Sequence, residues 1–108
     1  MTLVIKINAP PIPAQYTHRE GRMSITITIK YSQSAFKHSV SEVSIEYAVI
    51  NALFDDILDD VEDKHLLIGF DDNGNLLEIL YNVLDDDTIR IFHAMKCRDA
   101  FSALLKRS

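Results

Sequence analysis

Between Leu66 and Lys96 the chain reads "LLIGFDDNGNLLEILYNVLDDDTIRIFHAMK". Apolar runs are parted first by Asp-Asn-Gly-Asn and then by three aspartates, the pattern of a strand meander. Asn73-Gly74 is the strongest two-residue hairpin signal, because a type I′ turn needs positive φ at both central positions. Such a turn pairs Phe70 with Leu77, Ile68 with Ile79 and Leu66 with Tyr81. On the opposite face it pairs Gly69 with Glu78, Leu67 with Leu80 and His65 with Asn82. A three-residue loop at Asp85–Asp87 then sets Val83 against Ile89, Tyr81 against Ile91, Asn82 beside Arg90 and Leu80 beside Phe92. The two hairpins together predict a row across three strands: His65, Asn82, Arg90.

The flanking segments complete an α+β reading. "MSITITIKY" alternates strictly, with Ile25, Ile27 and Ile29 on one face, as in a half-exposed strand. Leu3–Ile7 is strand-like and a candidate partner for it. The segment between, "NAPPIPAQYTHREGR", holds two adjacent prolines and reads as an irregular arm. Residues 1–22 are thus a strand and arm, and residues 23–108 one α+β domain. "SQSAFKHSVSEVSIEYAVINALFDD" reads as helical, with Ser39 and Glu42 at capping-box spacing. The helix is expected to end near Leu53, because the acidic residues that follow oppose its dipole. "DDILDDVED", six of whose nine residues are acidic, is then a solvated loop. Ala100, Phe101, Leu104 and Leu105 suit a closing helix. The expected architecture is a mostly antiparallel sheet ending in a three-strand meander, with helices packed on one face.

That geometry places Leu66, Ile68, Phe70, Leu77, Ile79, Tyr81, Val83, Ile89 and Ile91 under the helices. The other face carries His65, Glu78, Asn82 and Arg90 among Leu67, Leu80 and Phe92. Arg90 would take a phosphate and Phe92 would stack on a base. The bland counterpart is an exposed face whose charges confer solubility. His93 falls on the covered face, where histidines are commonly hydrogen-bonded core residues. A bulge near Ala94 would turn it outward.

Charge is unevenly spread. The chain of 108 residues carries a formal net charge of −5, which argues against broad nonspecific nucleic-acid binding by net attraction. From Thr88 onward the balance reverses, with Arg90, Lys96, Arg98, Lys106 and Arg107 against Asp99 alone. Cys97 is the single cysteine and fits a reducing, cytoplasmic setting. No run is long enough to span a bilayer, so no membrane partner is expected. Gly-rich phosphate loops, paired cysteines and His-x-x-x-His spacing are absent from the sequence, so neither metal nor cofactor is expected.

"KHSVSEVSIEYAV", "HLLIGFDDNGNLLEILY" and "IRIFHAMKCRDAF" resemble, in order and spacing, motifs of the BrnT-like toxins of bacterial toxin–antitoxin systems. The resemblance spans about residues 29 to 105. It implies a RelE-like fold and a small metal-independent ribonuclease that stops translation through attack by a ribose 2′-hydroxyl. It also implies a cognate antitoxin, with any DNA contact made through that partner, and leaves a homodimer open. By the same correspondence, Lys37 and His38 match the Lys-His motif and Arg90 the strand arginine. His65 stands where the family often has arginine, and His93 and Lys96 fall in the segment before the closing helix. The implied catalytic set is Arg90, His65, Lys37 and His38. Lys96, Arg98, Asn82 and Phe92 are the candidate RNA contacts, with His93 and Glu78 of second rank. Ser39 stands at the family's usual glycine, His93 at its serine, and Met95 where a basic residue is common. A noncatalytic module is the alternative, its acidic run and arm contacting a basic partner.

Overall fold

The computed structural model describes residues 2–8 and 24–107. The expected irregular arm lies outside the described residues. Six strands form one sheet: β1 (Thr2–Asn8), β2 (Ser24–Tyr31), β3 (Ala52–Asp59), β4 (Lys64–Phe70), β5 (Leu76–Asp85) and β6 (Thr88–Lys96), in spatial order β1-β2-β6-β5-β4-β3. All neighbours are antiparallel except β2 and β6, which run parallel. A 3₁₀ turn (Gln33–Phe36) and helix α1 (Glu42–Ile50) connect β2 to β3, and α2 (Asp99–Ser102) with a 3₁₀ turn (Ala103–Arg107) closes the chain. The fold is α+β, with the expected meander at its C-terminal end. β1 does pair with β2, from Thr2 opposite Lys30 to Asn8 opposite Ser24.

The first hairpin differs from its expected register by one residue. Leu66 faces Leu80, Leu67 faces Ile79, and His65 faces Tyr81 rather than Asn82. Only Gly74 in the turn has positive φ, +80°, which excludes a type I′ turn centred on Asn73-Gly74. Instead Gly74 N–H donates to the Asp71 carbonyl at 3.2 Å, and Asp71 N–H to the Asn75 carbonyl at 2.8 Å. This is a three-residue loop with glycine at the left-handed position. The Asp71 carboxylate selects it by accepting from the N–H groups of Asn73 and Asn75, both at 2.8 Å.

A one-residue slip exchanges the two faces of a strand. The main core therefore contains Leu67, Leu77, Ile79, Tyr81 and Ile91, joined by Ile29, Tyr31, Ala35, Ile45 and Ala48. Leu66 and Ile68 are buried too, but on the opposite side with Glu78, and Phe70 is exposed. The sheet is thus buried on both faces around Leu66, Ile68 and Glu78. α1 packs on the Leu67 face, whereas the C-terminal turns are tethered to the other by Arg98 and Glu78. This replaces the expectation of helices on one face.

α1 is capped by Ser41, whose hydroxyl accepts from Ser44 N–H at 3.1 Å, and not by Ser39. It ends at Ile50, where Asn51 donates from both its backbone N–H and its side-chain amide to the Tyr47 carbonyl. The acidic run is not a loop: Asp55, Asp56 and Asp59 lie within β3. β4 is buried from Leu66 to Gly69, so its outer backbone groups there need partners, and β3 supplies them. The Tyr81 hydroxyl also donates to Asp55, which offsets the poor strand preference of aspartate.

Candidate nucleic-acid interface

The second hairpin keeps part of its expected register: Tyr81 faces Ile91, Asn82 faces Arg90, and Val83 faces Ile89. A bulge then makes Leu80 face His93, leaving Phe92 as the extra residue. Leu80 and Phe92 are therefore not partners. On the far side of β6, Lys30 is aligned with Arg90, and aligned residues in neighbouring strands project to the same side of a sheet.

These alignments build a row on the face opposite α1. Lys30, Arg90 and Asn82 come from β2, β6 and β5. Lys64 of β4 takes the place expected of His65, because it precedes the His65–Tyr81 pair by one residue. Ser32, Ser34, Lys64, Asn82, Arg90 and Phe92 line a shallow cleft of about 390 Å³. Arg90 is exposed, and its Nε and Nη2 both donate to Asn82 Oδ1, at 3.3 and 2.8 Å. Asn82 is held in turn, its amide donating to the Asp63 carbonyl at 2.8 Å. Ser34 Oγ donates to the Phe92 carbonyl at 2.6 Å, which fixes the chain after β2 to the rim.

Elsewhere the expected site residues separate. His65 lies on the core side, stacked on Tyr81 with ring centroids 4.9 Å apart, and its Nε2 is 2.8 Å from Asp63 Oδ1. The hydrogen bond from His65 and that from Val83 N–H hold the Asp63 carboxyl below its ordinary range. Lys96 aligns with Leu77 and lines a different cleft, about 380 Å³, with His38, Ser44 and Asp71 on the α1 side. Lys37 and His38 follow the 3₁₀ turn and are exposed. The bulge at Phe92 brings His93 onto the Glu78 side, in edge contact with His38 at 5.4 Å. His93 is thus not a core residue beneath α1, and the displacing bulge falls at Phe92 rather than near Ala94.

Glu78 has no exposed surface. Its carboxylate accepts from Arg98 N–H at 2.9 Å, from the Arg98 guanidinium at 2.7 Å, and lies 2.9 Å from His93 Nε2. Burial raises its pKa, but the bonds from Arg98 and His93 outweigh that and leave it below the ordinary 4.5. Arg98, also 5.2 Å over the Phe101 ring, is committed to this buried pair.

Searches against protein-family models, curated proteins and solved structures found no match. No described helix is long and apolar enough to cross a membrane.

The row offers Lys30 and Arg90, a third cation in Lys64 that is ion-paired with Glu62 at 2.7 Å, one positioning carboxamide and Phe92, groups able to engage a phosphate and stack a base. Lys30 and Lys64 were absent from the residues expected at the site. Lys30 was legible as an alternation partner of Ile29. Lys64 needed the correct hairpin register.

Proposed function

We propose that this protein binds single-stranded RNA on its open sheet face, in the manner of a toxin-like inhibitor of translation held in check by an antitoxin. The observation that carries the reading is the row Lys30–Arg90–Asn82–Lys64 with Phe92 beside it. Lys30 and Arg90 stand on adjacent strands ~5 Å apart, and Lys64 lies two strands beyond Arg90 at ~10 Å, spacings that successive phosphates of one flexible backbone can span. Phe92 offers a face on which a base stacks without sequence preference. Asn82 keeps the Arg90 fork oriented, so less freedom is lost on binding. Binding is favoured over cleavage, because the four residues of the expected catalytic set do not converge: His65 lies on the other face, and Lys37 and His38 lie beyond the end of β2.

Fluorescence anisotropy with a short labelled single-stranded RNA tests this. Three phosphate contacts give a plot of log K against log salt with a slope of about −2. Arg90→Ala weakens binding about tenfold and flattens the slope by ~0.7. A parent protein whose affinity ignores salt, or an Arg90→Ala variant that binds as well as the parent, overturns the proposal. The parent should also slow a cell-free translation reaction, and the variant should not.

A further inference from the structure

The outer edge of the sheet carries an inference beyond RNA binding. β3 pairs only with β4 among the described residues, so one side of its backbone faces outward. Leu53, Ile57 and Leu58 of this strand are 54%, 55% and 46% exposed, and Val61 just after it is 91% exposed. Charged edges and bulges ordinarily guard against strand addition, and β3 has both. A guard alone does not account for four large apolar side chains left open along the same edge.

Charge identifies the occupant. Asp56 and Asp59 lie in the strand and Asp60 follows, while Asp55, Glu62 and Asp63 nearby are already engaged by Tyr81, Lys64 and His65. Two copies pairing β3 against β3 would set these carboxylates against each other, which disfavours self-association. A strand alternating Lys or Arg with apolar residues meets complementary charge and covers the apolar side chains. We propose that β3 is the docking edge for a basic, extended segment of a partner protein, which adds to the sheet as a seventh strand. The RNA row lies across β2, β6, β5 and β4, so the two surfaces are tested separately.

The test uses the full chain and an end-blocked peptide, Lys-Val-Arg-Ile-Lys-Val-Arg, with its Glu/Asp counterpart as control. The basic peptide should bind at least about tenfold tighter, weaken with added salt, and protect backbone amides of Ala52–Asp59 from hydrogen exchange. Asp56→Lys combined with Asp60→Lys should abolish the preference while exchange in β5 and β6 stays unchanged. Equal binding of both peptides, protection confined to other strands, self-association through β3, or no binding at about 1 mM peptide overturns the proposal.

Discussion

Glu78 shows how one side chain couples the interior to pH. Its depressed pKa means that its contribution to stability is complete above the unfolded carboxyl value and is lost as pH falls through the folded value. Replacing it with glutamine removes that titration. Urea denaturation of Glu78→Gln should therefore show lower stability than the parent at pH 7, and a smaller loss as pH falls from about 5 to about 2. Tyr31 presents the opposite situation. Its hydroxyl is buried without a hydrogen-bond partner among the described residues. Burial first, then Glu42 and Glu46, push its pKa far above 10.0, so ionisation at alkaline pH costs stability as pH rises past the unfolded value. Tyr31→Phe deletes an unsatisfied polar atom and keeps the ring. It should leave stability unchanged or raise it by about 1 kcal/mol, read as the denaturation midpoint. Neither role was visible in the sequence, since both depend on what neighbours a residue across the sheet and not along the chain.

At the scale of elements, the strands were far more legible than their alignment. Alternation in "MSITITIKY" and the apolar runs after Leu66 located β2, β4, β5 and β6. The Asn-Gly pair located the turn but not its type, because Asp71 two residues earlier captures the loop amides and adds a residue to it. That single residue moved His65 to the core side and Lys64 into the row. β3 was illegible for a different reason: "ALFDDILD" is a poor strand by composition and forms one because β4 requires a partner. Helix placement also rests on a detail of one strand. A Cβ on Gly69 would lie 2.4 Å from the Ala48 carbonyl oxygen of α1, and that neighbour is backbone. Gly69→Ala should force α1 off β4 and destabilise the fold by about 1–3 kcal/mol, measurable by thermal or urea unfolding.

Across the whole molecule, charge is segregated by position in the sheet. The cation row crosses the middle strands on one face, and the carboxylates gather along the β3 edge. A net charge of −5 conceals this arrangement, because it sums patches of opposite sign. The α+β class and the closing meander followed from patterning. The parallel pairing of β2 with β6 did not, because nothing in a strand's own residues states which distant strand lies beside it. That pairing joins Thr28–Tyr31 to Thr88–Ile91, 60 positions further along (88 − 28). During synthesis this flank of β2 stays bare until β6 has left the ribosome, and the loop between them must close before any contact rewards it. Lys30 and Arg90 therefore become neighbours only once β6 is in place: a chain cut before Thr88 would lack the row proposed to bind RNA and leave one flank of β2 bare.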